Sequence, residues 1–131
     1  MVTLLDARTV ERLHDLALAE LGGGLAGVLD AGRIEAAVAR MSSGAGDDRF
    51  FPSLHEKAAA LLASLIQGHP FVDGNKRTAV LAANTLLELN GWRLEFAAAE
   101  VVEFATGVAT HRLDFDDIVR WLREHNQPAA G

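Results

Sequence analysis

The 131-residue chain contains no cysteine. Disulfides, thiolate nucleophiles and cysteine-based zinc sites are therefore excluded. Basic residues are outnumbered, 12 Lys and Arg against 18 Asp and Glu, for a formal net charge of −6. A general nucleic-acid binder needs basic clusters to neutralise phosphates, so that class is set aside. One bound nucleotide needs only local cations and stays open. Apolar runs fall far short of the ~20 residues of a membrane span. Met1-Val2-Thr3-Leu4-Leu5-Asp6 lacks the basic start and sustained apolar stretch of a signal peptide, so a cytoplasmic protein is expected. No internal repeat or low-complexity tract occurs. A Walker-type phosphate loop and a kinase-type glycine-rich loop are missing too. Gly22-Gly23-Gly24 has no strand signal before it and reads as a helix breaker.

What the chain does have is apolar residues, half of its length. That suffices for a core in one domain over residues 1–131. Six helical segments follow from periodicity and capping. Asp6 opens the first, with Val10, Leu13, Ala17 and Leu21 on one face. Asp30 caps a second that carries Ile34, Val38 and Met41. Ser53 and Glu56 form a capping-box pattern before a third, which stops at Gly68. The fourth, apolar around most of its girth through Thr78–Leu89, predicts a central buried helix ended by Asn90-Gly91. Trp92–Phe96 reads as briefly extended. The fifth turns Val101, Val102, Ala105 and Val108 inward, and the sixth starts at Asp114 with Phe115, Ile118, Val119 and Leu122. The expected fold is an all-α six-helix bundle around the fourth helix. Acidic residues at 47–48 and 114–117 read as solvated caps or loop charges, or as a dock for a basic partner. His111 and His125 read as surface residues near helix ends, and Trp92 and Trp121 as packing anchors.

The chemistry concentrates in His69-Pro70-Phe71-Val72-Asp73-Gly74-Asn75-Lys76-Arg77. Asp73 is placed as the N-cap of the fourth helix. The first turn then carries Lys76 and Arg77, where the helix dipole disfavours cations by roughly 0.3–1 kcal/mol each. Free N–H groups and two cations at one helix end make an anion site, and phosphate is the obvious ligand. His69, with an ordinary pKa of about 6.5, suits a general base or acid. Phe71 would pin the loop into the core, and Asp73 is an oxygen ligand for Mg²⁺ beside a nucleotide phosphate.

This segment resembles the signature of the Fic/Doc family. Lys76, where Fic-type adenylyltransferases have Gly, and Val80, where they have a second Arg, point to its Doc branch. Leu13-His14-Asp15, Gly27–Glu35 and Leu89-Asn90-Gly91 look like the family as well. The resemblance implies a compact six-helix domain and a kinase that moves the γ-phosphate of ATP, with Mg²⁺, to a Ser or Thr of a cytoplasmic protein. His69 would be the base, Asp73 the metal ligand, and Gly74, Asn75, Lys76 and Arg77 the phosphate grip. It further implies a toxin neutralised by a Phd-like antitoxin through that partner's C-terminal segment, with elongation factor Tu as target and translation arrest as outcome. Residues 42–52 occupy the position of the family's target-positioning flap. Three other readings stay open: a Fic-like transferase adding AMP, a metal-dependent HD-type phosphohydrolase using His14-Asp15, His55-Glu56 and His69, and a non-catalytic module that binds a nucleotide or partner. His14 and His55 otherwise read as solvated or hydrogen-bonded histidines on amphipathic helices.

Overall fold

The computed structural model describes residues 2–20, 22–43 and 53–129. Six helices are present in it: α1 (Ala7–Glu20), α2 (Ala31–Ser43), α3 (Leu54–Gly68), α4 (Asn75–Glu88), α5 (Ala98–Ala109) and α6 (Phe115–Glu124). The fold is all-α, with two short strands, β1 (Trp92–Leu94) and β2 (Asn126–Pro128), as its only sheet among these residues. Most of the segment expected as a flap, and with it Asp47 and Asp48, lies outside the described residues; Ser42 and Ser43 close α2.

Local chemistry explains where most helices begin. Asp6 Oδ1 accepts from Thr9 N at 2.8 Å, and Asp30 Oδ1 from Gly32 N at 2.9 Å. Ser53 Oγ accepts from Glu56 N at 3.1 Å and donates back to the Glu56 carboxylate at 2.8 Å. Asp114 and Asp117 cap one another's backbone N–H at 2.9 and 3.0 Å. Each cap removes orphan donors that would otherwise face water unpaired, a contribution of about 1 kcal/mol.

One cluster of buried side chains draws on all the helices except for α1's outer face, with Val10, Ile34, Met41, Leu61, Leu65, Leu86, Val108, Ile118 and Leu122 at its centre. α4 contributes Ala79, Ala82, Ala83, Leu86 and Leu87 to it. These small residues let α3 and α1 approach closely. The opposite face of α4, with Val80 and Leu81, is half-buried rather than enclosed. α5 also departs from expectation: Phe104, Ala105, Gly107 and Val108 face the core, while Val102 is 65% exposed. Apolar periodicity marks a face without saying whether core or an open groove lies against it. Here the face is split between the two.

Both ends of the chain converge on the turn after α4. Thr3 N donates to Asn90 Oδ1 and Asn90 Nδ2 to Thr3 O, each at 2.8 Å. β1 pairs antiparallel with β2, Trp92 opposite Pro128 and Leu94 opposite Asn126, and Ala129 N donates to Gly91 O at 2.9 Å. Trp121 anchors α6 between the rings of Phe104 and His125, each 3.9 Å away. His125 is therefore half-buried rather than loose on the surface. Its Nδ1–H donates to Trp121 O at 2.8 Å, and Nε2 meets Glu100 at 3.1 Å. Trp92 is more open, 36% exposed, with only an edge contact to His55.

Candidate active site

α3 stops because His69 precedes Pro70, and the residue before proline is pushed out of the right-handed helical region. His69 instead adopts the left-handed conformation, φ 51° and ψ 56°. An L-residue there carries about 1–2 kcal/mol of strain. The chain then runs alongside residues 27–30. Leu29 N and Asp30 N both donate to Pro70 O, Val72 N donates to Gly27 O, and Val28 bridges Phe71. Phe71 is fully buried and stacks on the imidazole of His14, 3.8 Å between centroids and 6° between planes.

The turn into α4 differs from the expected one. Asp73 does not cap the helix. Gly74, at φ 77°, holds that position, and no side chain caps the first turn. Asp73 sits one residue earlier, with Oδ1 accepting from Gly74 N at 2.8 Å and Oδ2 from Leu25 N at 3.3 Å. Those two N–H groups, with the nearby charges of Arg77 and His14, hold its carboxyl below the usual value of 3.8. A side chain on Gly74 would press on Leu18 Cδ2 at 3.1 Å, so the positive φ and the crowding both favour glycine.

Asn75 ties the turn together. Its Oδ1 accepts from Phe71 N at 3.0 Å, and its Nδ2 donates to Phe71 O at 2.9 Å. Two backbone groups of opposite polarity thus fix which amide atom is nitrogen. The same Nδ2 lies 3.1 Å from His69 Nδ1. His69 Nδ1 must accept that hydrogen bond, so the neutral ring carries its proton on Nε2.

His69, Asp73, Gly74, Asn75, Lys76 and Arg77 all line one groove of about 1000 Å³. Its far wall comes from α4 and α5, including Val80, Leu81, Val101 and Val102. Lys76 is exposed at the first turn of α4, which contains no acidic residue. An uncapped helix N-terminus beside two cations fits a phosphate group. Among the described residues no three His, Asp or Glu side chains converge as a metal cluster. A divalent ion here would draw on the Asp73 carboxylate, phosphate oxygens and water, the ligand set that suits Mg²⁺.

The chain matches the Fic/DOC family over residues 4–87. It belongs to that family. It is 44% identical over 102 residues to "Toxin Doc" of Mycolicibacterium smegmatis, covering 76% of this chain and 78% of that protein. It is 33% identical over 111 residues to "Protein kinase doc" of Escherichia phage P1, covering 85% of this chain and 86% of that one.

Beyond the nine-residue segment, the groove and its loops recruit residues that sequence reasoning had read in other ways. His14 is 2% exposed, and its Nε2–H donates to Asp73 O at 2.7 Å. Its Nε2 is thus taken by the site loop, and among the described residues it belongs to no cluster of three possible metal ligands, as the HD-type reading would need. The glycine run after α1 is more than a breaker. At Gly24, φ 137°, an added Cβ would stand 2.8 Å from Asp73 Oδ2 and 3.1 Å from Arg77 Nη2. His111 was expected on the surface; it is exposed, but on the groove. For His14 the sequence signal was the flanking Leu13-His14-Asp15, which resembles the family but carries no role by itself; Gly24 and His111 lie outside the stretches that resemble it. No helix among the described residues is long and apolar enough to cross a membrane.

Proposed function

We propose that the chain is a Doc-type toxin that transfers the γ-phosphate of ATP to a Ser or Thr hydroxyl of a protein of the translation machinery. Elongation factor Tu is the target that the family resemblance implies. The observation that carries this reading is Lys76 on an uncapped helix N-terminus, in one groove with His69 and Asp73. A Lys there fills the space next to the backbone and attracts the most charged end of a nucleotide. The γ-phosphate, rather than the α-phosphate, then lies nearest His69. The names of the two relatives, a toxin and a protein kinase, support the same assignment.

In this mechanism Gly74, Asn75, Lys76 and Arg77 bind and orient the phosphates, using first-turn N–H groups and two positive charges. Asp73 would hold Mg²⁺, which would supply charge neutralisation on the phosphate oxygens. The acceptor hydroxyl oxygen bonds to the γ-phosphorus, the bond to the β–γ bridging oxygen breaks, and ADP leaves. His69 takes the hydroxyl proton. Its lone pair at rest is on Nδ1 and accepts from the Asn75 amide, so the base step begins with rotation of the exposed ring away from Asn75. Positioning and charge do most of the work in phosphoryl transfer, and a compact cradle suffices. A Phd-like antitoxin acting in trans, in the cytoplasm, is the expected inhibitor.

The test uses purified protein, cytosolic extract, Mg²⁺ and ATP labelled at either the α- or the γ-phosphate, with His69→Ala and Lys76→Gly alongside. Label from the γ-position only, lost in His69→Ala and reduced in Lys76→Gly, is the expected result. Transfer of the α-label identifies an AMP transferase instead. Bound ATP with neither label transferred to purified elongation factor Tu or to extract points to a non-catalytic binding module.

A further inference from the structure

His69 stands in the left-handed region, and among the described residues only one other non-glycine, His111, has a positive φ. Such a conformation persists where the surroundings over-determine it. The carbonyls on both sides of His69 are held by one turn, residues 29–33 at the start of α2. Before His69, Arg33 Nη1 donates to Gly68 O at 2.8 Å. After it, Pro70 O accepts from Leu29 N at 2.8 Å and from Asp30 N at 3.1 Å.

Arg33 is itself aimed. Its Nε lies 3.3 Å from Asp30 Oδ2, which leaves Nη1 turned toward the end of α3. The other Asp30 oxygen accepts from Gly32 N at 2.9 Å, so the carboxylate is fixed as well. Gly68 is the last residue of α3, where carbonyls lack helical partners and the helix dipole is negative. A cation that donates there satisfies both demands. The Gly68 carbonyl also belongs to the peptide plane from which the φ of His69 is measured. Holding that oxygen sets the direction in which the His69 side chain leaves the backbone.

We propose that Arg33 is a positioning residue for His69. Anchored by Asp30, it grips Gly68 O and keeps His69 in the left-handed conformation that places its ring beside Asn75. Arg33 stands in the wall of a separate cavity of about 300 Å³ between α2 and α3, so it acts through the backbone of His69. Its side chain and that of Asp30 are 56% and 48% exposed, and losing the pair should leave global stability nearly unchanged. The catalytic consequence rests on the reading of His69 as the base; the geometric claim stands apart from it.

Two measurements on the full chain test this. The H–N–Cα–H coupling and the Cα shift of His69, read by NMR, report its φ and need no turnover. In Arg33→Ala both should move from left-handed values toward an average over several conformers, while the amide signals of Lys76 and Arg77 stay in place. Arg33→Lys keeps a cationic donor and should restore them in part. Arg40→Ala removes a charge from the same cavity and should leave them as in wild type. In the labelled-ATP assay, Arg33→Ala should lower kcat roughly 10-fold, as one lost charge-assisted hydrogen bond reduces the competent population. KM for ATP should not change, because the phosphate grip is untouched. An unaltered His69 coupling and shift in Arg33→Ala overturns the positioning role whatever the turnover. Altered signals with unchanged kcat overturn its catalytic part. A wild type that transfers no phosphate removes the kinase reading, and the NMR comparison still decides the positioning.

Discussion

Asn75 Nδ2 and His69 Nδ1 lie 3.1 Å apart, with the amide orientation fixed by both backbone groups of Phe71. The resting imidazole therefore presents an N–H at Nε2 and a lone pair to the protein. Nitrogen-detected NMR of histidine-labelled protein should find the Nε2–H form of His69 above its titration. Asn75→Asp places an acceptor opposite Nδ1 and should reverse the tautomer, while weakening the loop through repulsion with Phe71 O. Phosphotransfer should still fall, about 10-fold or more, because the new carboxylate repels the phosphates at the start of α4 and loosens the loop that carries His69. An Nδ1–H ring in the unaltered protein would refute the assignment.

Gly23 and Gly24 make a paired test of the glycine run. Both have positive φ, but a Cβ at Gly23 meets nothing within 4 Å, whereas one at Gly24 collides with Asp73 Oδ2. Gly23→Ala should lose only about 1 kcal/mol from backbone strain. Gly24→Ala should lose roughly 1–3 kcal/mol and reduce activity as well, since it displaces the carboxylate. Urea unfolding and the labelled-ATP assay read the two effects separately.

His14 links α1 to the site loop through Asp73 O. His14→Leu keeps apolar bulk against Phe71 but removes the donor. Loss of about 1–3 kcal/mol is expected for the hydrogen bond left unmade. Turnover should drop at saturating ATP while the circular dichroism spectrum stays helical. Equal stability and turnover would mean that the contact is idle.

His55 sets a pH dependence. Burial holds its pKa below the usual 6.5, the Asn126 side chain opposes this, and the charge of Arg123 adds to it. The folded state thus favours the neutral ring, and the unfolded chain binds more protons between the two pKa values. Its contribution is complete above the unfolded value and is lost as pH falls through the folded one. Urea midpoints should decline below pH ~6.5, and His55→Gln should flatten that slope. A slope unaltered in the variant assigns it elsewhere.

Features written in neighbouring residues were legible in the sequence. The caps at Asp6, Asp30, Ser53 and Asp114 work through atoms two or three positions away, and each forms as read. That His69 and residues 73–77 come together in one groove was likewise legible, because their spacing is local. Contacts made across the fold were not. His14 meets Asp73 across 59 positions, and His125 depends on the stack with Trp121 and on Glu100, 25 positions earlier. Val102 was misplaced because an apolar residue on a helix looks the same whether α4 covers it or leaves it open. Asp73 was misread as a cap because Gly74 takes that position, a choice made by backbone φ rather than by side-chain preference.

The double tie of Thr3 to Asn90 and of Ala129 to Gly91 gathers both end segments at one pole of α4. His69 and Lys76 stand at the other pole. The 14 residues of α4 separate the two by about 20 Å at 1.5 Å per residue. Thr3 and Ala129 thus lie at the back of the molecule, away from the groove. A linker joining the two end segments, with a new opening cut elsewhere, would reorder the chain while leaving the groove at the start of α4 as it is.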